Sequence, residues 1–425
     1  MLGATLFLSF FALLLIGVPI AVSLGAASMI ALVLFSHVPV MVLVQKTFGG
    51  IDSFTLLAIP LFILAGNIMS TGGVSTRLVA LANCGFGRYR GGLAQVLTAA
   101  CTFFGAISGS APATAAAIGS VMIDPMVKRG YPVVFAAACT AASGVIGLLI
   151  PPSVTMVVYG VVTGASIGQL FLGGVIPGLL MSGALMACNF VYAKRWGIGR
   201  EEKPAPGETL KAFKSASWAL CMPIIILGGI YTGIFTPTES AVVAAVYGLI
   251  VGKFIYRELT WKALIDLTAA TTKNSAVLMF LIGTAHCLSY LMASEQIPAA
   301  IADFMLGVSG NPTVILLMVC VVLLIVGTFL DNVIAMLLLA PIFHPVIVEV
   351  GINEVYFGII MVVGLAIGQV TPPVGTTLFV ACNIAKISLE KLVTGIGYYL
   401  AVMLLVLGIL VAFPGLVMLI PNTMS

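Results

Sequence analysis

The chain has 425 residues, of which 61% are hydrophobic and only 8% charged, with a formal net charge of +4. A soluble globular domain carries about 25% charged residues, so the composition excludes a water-soluble domain and places the chain in a lipid bilayer. The positive charges lie in short loops between apolar runs and give no nucleic-acid surface.

Spanning about 30 Å of hydrocarbon takes roughly 20 apolar residues as helix. The apolar runs are that long and lack the alternation of a β-barrel. An all-α polytopic membrane protein is expected. The opening MLGATLFLSFFALLL has no basic segment before its apolar core, so it reads as a retained first span rather than a cleaved signal peptide. Residues 2–35 form one apolar run interrupted at Gly17-Val-Pro19, which predicts two short helices. A semi-polar stretch from Gln45 to Asp52 precedes a span from Phe54 to about Met69. A basic connector with Arg77, Arg88 and Arg90 leads into a broken element at 93–126, a broken span at 133–163 and a span from Leu170 to Tyr192.

The polar segment 194–214 divides the chain into a first repeat (1–193) and a second (215–425). In the second, spans near 217–233 and 239–256 flank Thr236-Pro-Thr-Glu239. An amphipathic connector (259–272, with Trp261 at an interface position) precedes a span near 275–292. A second broken element (313–346), a broken span (355–382) and a final span (394–418) complete the layout. The halves are in register at one constant offset, which pairs Gly130 with Gly351, Gly147 with Gly368 and Pro151-Pro152 with Pro372-Pro373.

Inside hydrocarbon each orphaned backbone group costs several kcal/mol, so non-helical breaks are tolerated only when buried in protein or facing a cavity. The runs flanking Ala106–Pro112 and Thr328–Asn332 are too short to span alone. Both elements therefore read as re-entrant hairpins with tips at the midplane. Pro152 and Pro373 remove donors and free carbonyls near Gly147–Ile150 and Gly368–Thr371. Freed carbonyls suit a small hard cation such as Na⁺, and exposed helix N-termini suit a carboxylate. The reading is ten spans plus two hairpins, in two inverted-topology repeats.

Asp331 is the sharpest single residue, because no other charged residue lies between Asp303 and His344. A carboxylate at the bilayer centre costs on the order of 2.5–3.5 kcal/mol on insertion scales, so it should face a cavity or a partner. It is suited to hold a cation, accept from a substrate hydroxyl or carry a proton, and also to cap the helix starting at Asn332. Glu239 reads as a first-turn helix acid, Asp124 as a hairpin-end residue and His286 as a satisfied helix residue. The eight cysteines, with no Cys-x-x-Cys pair, read as small buried hydrophobes. No Walker motif, HExxH or G-x-S-x-G is present, so neither ATP nor a hydrolase mechanism is indicated.

IDSFTLLAIPLFILAGNIM at 51–69, FFGAISGSAPATAAAIG at 103–119, GLLIPPS at 147–153, TPTESAVVAAVYG at 236–248 and GQVTPPVG at 368–375 together resemble the large membrane subunit of tripartite ATP-independent periplasmic (TRAP) transporters. The resemblance covers essentially the whole chain. It implies an elevator-type importer of organic acids in a bacterial inner membrane, driven by two or more Na⁺. It also implies two partners, a small four-helix membrane subunit and a soluble periplasmic solute-binding protein, and no enzymatic activity. Carried onto this sequence, it gives cation positions at Ser108, Ser110, Gly147, Ile150 and Pro152, and at Gly327, Thr328, Gly368, Thr371 and Pro373. Substrate positions fall at Ser110, Thr155 and Asp331. Sialic acid and C4-dicarboxylates are both open as substrates, with overall resemblance leaning to sialic acid. A cation channel and an intramembrane enzyme are the alternatives. The first lacks a ring-like repeat to form a filter; the second lacks a midplane acid to partner Asp331.

Positive charge sets the orientation. With 194–214 in the cytoplasm, 17 of the 18 Lys and Arg residues fall inside, leaving only Lys46 outside, and both termini are periplasmic. Reporter fusions placed within 194–214 are expected to report a cytoplasmic location, and a periplasmic signal there would overturn the topology.

Overall fold

The computed structural model describes residues 2–35, 38–195, 197, 205 and 207–423. Nine residues of the expected polar segment (196, 198–204 and 206) lie outside the described residues. Helices make up nearly all of what is described, and no strand occurs among those residues.

The first apolar run divides as expected, into α1 (Leu2–Leu15) and α2 (Ile20–Phe35). Gly17 makes the turn at φ +84°, a left-handed conformation that favours glycine, and Pro19 immediately precedes the second helix. Next come α3 (Met41–Ile51), α4 (Ala58–Thr71, entered through a tight turn at Phe54–Leu57) and α5 (Val74–Phe86). The first broken element is a helical hairpin of α6 (Gly92–Ser108) and α7 (Ala111–Lys128). The broken span is α8 (Val133–Gly144), the single turn α9 (Ile146–Leu149) and α10 (Val154–Thr163), bent by 42° at the break. The long α11 (Ile167–Arg195) closes the first half.

The second half runs α12 (Glu208–Tyr231), α13 (Pro237–Ile250), α14 (Trp261–Ser294), α15 (Ile297–Val308), α16 (Pro312–Phe329), α17 (Asn332–Glu349), α18 (Glu354–Gly368), α19 (Thr376–Ala385), α20 (Leu389–Ala412) and α21 (Pro414–Met418). Shifted by the offset that carries Gly147 onto Gly368, α7 coincides with α17 at both ends. By the same shift α6, α8, α10 and α11 fall on α16, α18, α19 and α20 to within a few residues at their starts. The Pro151–Pro152 and Pro372–Pro373 bonds are both cis.

Two differences from the sequence reading have local causes. Residues 259–272 and 275–292, read as a connector and a span, form the one helix α14. In the first half the corresponding chain breaks after Gly49-Gly50, and the second half has Ala270-Thr271 there. Two glycines cost about 1 kcal/mol each relative to alanine in a helix interior, and their absence lets α14 run through. The semi-polar stretch and the basic connector of the first half are also helical, as α3 and α5.

Eight helices among the described residues are long and apolar enough to cross a membrane, or nine counting the bent pair α8–α10. The expected ten spans differ from this count for two reasons. Each of α16 and α17 passes the length test alone, although together they form one hairpin, whereas α1, α2 and the divided α18–α19 are too short singly.

The protein is built around its broken spans. From Val355 to Gly368 every residue of α18 is buried, and so is every residue from Phe135 to Gly144 in α8. A helix apolar all round belongs inside other helices. By contrast α12 and α16 expose large apolar side chains such as Ile224 and Val321 on their outer faces, as lipid contact requires. The cysteines are mostly buried as expected; Cys221, on the outer face of α12, is exposed.

A buried polar knot ties four helices of this interior together. The Asn189 amide of α11 donates to Thr98 Oγ1 of α6 at 2.8 Å and to the Ala94 carbonyl at 3.1 Å. Its oxygen accepts from the Tyr399 hydroxyl of α20 at 2.6 Å, and Thr98 pairs with Ser143 of α8 at 2.8 Å. Replacing Asn189 by leucine strands the buried Tyr399 hydroxyl, a loss of about 1–3 kcal/mol. Thermal melting of the purified protein is expected to show Asn189→Leu as clearly less stable and Tyr399→Phe as nearer to wild type.

Candidate functional site

Each hairpin tip packs against its own broken span through paired glycines. A Cβ on Gly105 would come within 2.9 Å of the Gly147 Cα, and one on Gly368 within 2.6 Å of the Gly327 backbone. Small residues let the backbones approach closely, and tip and break then share hydrogen bonds. The Val154 N–H donates to the Gly109 carbonyl at 3.4 Å; at the equivalent position of the second repeat the Gly375 N–H donates to the Thr328 carbonyl at 3.0 Å. Gly109 turns the first tip at φ +64°. A Cβ there would overlap the Pro152 carbonyl oxygen at 2.6 Å.

The first tip gathers oxygens. Ser108 Oγ lies 2.6 Å from Thr114 Oγ1 and donates to the Ser110 carbonyl at 3.4 Å. Gly147 faces the same group, since a Cβ on it would meet the Ser110 carbonyl oxygen at 2.9 Å. The second tip is held by side chains. Gln369 Nε2 donates to Asp331 Oδ2 at 3.3 Å, and the Thr377 hydroxyl donates to Gln369 Oε1 at 3.3 Å. Thr328 and Thr371 turn their hydroxyls back onto the Ile325 and Ile367 carbonyls, at 2.7 and 2.8 Å.

Between the two tips lies a cavity of about 720 Å³. Four residues singled out from sequence line it together: Ser108, Ser110, Thr155 and Asp331. The other expected positions (Gly147, Ile150, Pro152, Gly327, Thr328, Gly368, Thr371 and Pro373) are not in its lining; Gly147, Pro152, Gly327, Thr328 and Gly368 belong to the tip–break contacts. Sequence reasoning missed Asn67 and Ser70 of α4, Asn274 of α14, and Asn332 and Gln369. Their signal was polarity inside apolar runs, which is weak for one residue at a time. Asn67 also donates to Thr271 Oγ1 at 3.0 Å, joining α4 to α14 on the cavity's far wall.

Three helices begin at this cavity. Pro112 and Ala113 open α7, Val154 and Thr155 open α10, and Asn332 and Val333 open α17, and all six residues line it. Ser110 and Asp331, at matching positions of the two repeats, are the N-caps of α7 and α17. Ser110 accepts from the Ala113 N–H at 3.5 Å and Asp331 from the Val333 N–H at 3.0 Å. The capping role read for Asp331 is therefore present, and the carboxylate also faces the cavity. No lysine, arginine or histidine lines it, and Asp331 is the one charged lining residue among those described. Glu239 lies elsewhere, closing a capping box with Thr236 at the start of α13, as read. Among the described residues no cluster of three or more His, Cys, Asp or Glu could hold a transition metal.

Comparison with known proteins settles what kind of chain this is. The family model described as "Tripartite ATP-independent periplasmic transporter, DctM component" matches residues 7–416. The chain belongs to the DctM family. It is 47% identical over 96% of its length to the isethionate TRAP transporter permease protein DctMQ of Oleidesulfovibrio alaskensis, and spans 65% of that longer protein. It is 42% identical to the C4-dicarboxylate TRAP transporter large permease protein DctM of Pseudomonas aeruginosa, over 94% of both chains. The sialic acid TRAP transporter large permease protein SiaM of Vibrio cholerae is 38% identical, over 96% of this chain and 95% of its own. Among solved structures, the Alcanivorax borkumensis YdaH transporter shares the fold at 14% identity, with a TM-score of 0.66 over 88% of this chain and 87% of its own.

The DctM chain's glycine contacts make a direct test. Valine at 368 would drive its side chain into backbone atoms of Gly327, which have no rotamer to yield. Gly368→Val is expected to lower membrane abundance and to abolish the uptake of what remains. Gly397→Val, at a glycine with nothing within 4 Å, is expected to keep transport, as measured by uptake normalised to membrane abundance.

Proposed function

We propose that this DctM-family chain is a Na⁺-coupled importer of an organic acid. It would work by an elevator motion with a small four-helix membrane subunit and a periplasmic solute-binding protein in a bacterial inner membrane. The observation that carries the reading is the convergence of three helix N-termini on one cavity that holds a carboxylate and no basic side chain. Helix starts present partial positive charge and free N–H groups to an anion. Cations at the two tips supply the remainder. The oxygens gathered at Ser108, Ser110 and Thr114 are hydroxyl and carbonyl donors suited to a hard monovalent ion.

We read the cavity's lining as two groups. On one side stand α4 and α14; on the other, the hairpin tips and broken spans. In this reading the tips and broken spans carry the cargo past α4, α13 and α14 as a fixed support, with the Asn189 knot tying the first hairpin and first broken span to α11 and α20, and the two halves sit inverted in the bilayer. An inside-negative potential contributes about 2.3 kcal/mol per charge per 100 mV, so moving a monoanion with two or more Na⁺ is downhill. The names of relatives point to isethionate, C4-dicarboxylates and sialic acid at comparable identities, so overall similarity does not select the acid. An intramembrane aspartyl enzyme would need a second acid at the cavity, and Asp331 is alone there among the described residues.

In proteoliposomes containing this chain and its small subunit, uptake of a labelled organic acid is expected to need both an inward Na⁺ gradient and the binding protein. Equal uptake with K⁺ in place of Na⁺ would overturn the coupling.

A further inference from the structure

One residue of the cavity is built at odds with ordinary packing. Asn332 is 1% exposed, lines the cavity, and neither its Nδ2 nor its Oδ1 has a hydrogen-bond partner. A carboxamide offers two donors and an acceptor, and burying them unpaired is unfavourable. Across the lining, Thr155 is fully buried and its hydroxyl is also unpartnered. Beside Asn332, Asp331 accepts from the Val333 N–H and from Gln369, which leaves carboxylate lone pairs unused. Asn332 has no counterpart in the other tip, where the matching position of the first repeat is Ala111.

We infer that Asn332, with Thr155, is a specificity-determining residue that reads a hydroxyl group on the substrate, and that the substrate is a singly charged organic anion bearing at least one hydroxyl. The inference rests on the transport reading above and narrows it. A hydroxyl is both donor and acceptor: it donates to Asp331 or Asn332 Oδ1 and accepts from Asn332 Nδ2. The anionic group is left to the helix N-termini and bound cations. A second carboxylate on the substrate would instead stand against Asp331, with no basic side chain in the lining to offset it. An anion with no hydroxyl would bury the Asn332 amide unpaired. A site arranged for a hydroxyl rejects the analogue without one because its own polar groups are stranded.

The test is direct binding to the complex of this chain with its small subunit, in nanodiscs with Na⁺, so that the binding protein's own selectivity does not enter. Matched probes are isethionate against ethanesulfonate, and glycerate against propionate, with succinate as the doubly charged control. The hydroxylated member of each pair is expected to bind about 10- to 100-fold tighter and succinate more weakly than glycerate. Asn332→Leu, with the same branched skeleton of four side-chain heavy atoms but apolar, is expected to erase that difference while raising the melting temperature of the ligand-free protein. A residue with only a structural role would lower it. Equal binding within each pair, or an undiminished preference in Asn332→Leu, would overturn this inference alone. Failure of every anion to bind in Na⁺ would overturn the transport reading and this inference with it.

Discussion

A hydrocarbon interior supplies no water to satisfy a stray backbone group, and that constraint organises the molecule. Four interruptions in apolar helices, two hairpin tips and two broken spans, each leave carbonyls or amides without helical partners. The chain resolves this by packing the interruptions against one another. Gly105 lies on Gly147 and Gly327 on Gly368, and the Val154 and Gly375 amides find carbonyls on the facing tips. Burial of α8 and α18 on all sides follows, because the breaks in the two spans must sit at the centre of the bundle. The cavity lies between the two tips, with residues of both in its lining.

The two copies solve the same backbone problem with different side chains, and the division of labour follows from that. Ser110 and Asp331 occupy matching cap positions, so a neutral hydroxyl and a carboxylate face one another across the cavity. The first tip is fastened by hydroxyl–hydroxyl contact between Ser108 and Thr114; the second is fastened through Gln369 to Thr377. Asymmetry of this kind suits a bound molecule with two chemically distinct ends.

Much of the fold was legible in the sequence because the bilayer enforces strong patterns. Apolar length marked the spans, and the recurrence of glycines and prolines at one fixed offset marked both hairpins and both breaks. Asp331 was legible because a lone charge in apolar surroundings stands out, whereas Ser110 and Thr155 as substrate positions came through the family resemblance. Asn67, Asn274 and Asn332 were not legible, because a single amide within an apolar helix also fits a surface or a satisfied interior position. Only their convergence in three dimensions gives them meaning. The continuity of α14 and the helices α3, α5 and α15 were likewise hidden. They depend on a balance of moderate propensities that lacks a sharp stop signal.

In the proposed Na⁺-coupled reading, the one charged lining residue among those described, Asp331, also bears on how the two cargoes affect each other's binding. In that reading an ionised Asp331 would repel the incoming anion whenever no cation is bound at the tips. Any cation that settles at the tips therefore raises the affinity for the anion, and by thermodynamic reciprocity the anion raises the affinity for the cation by the same factor. Partly loaded states are the high-energy ones. In the proposed Na⁺-coupled reading, the wall's charge would thus act against slippage, since solute and ion each bind more weakly without the other.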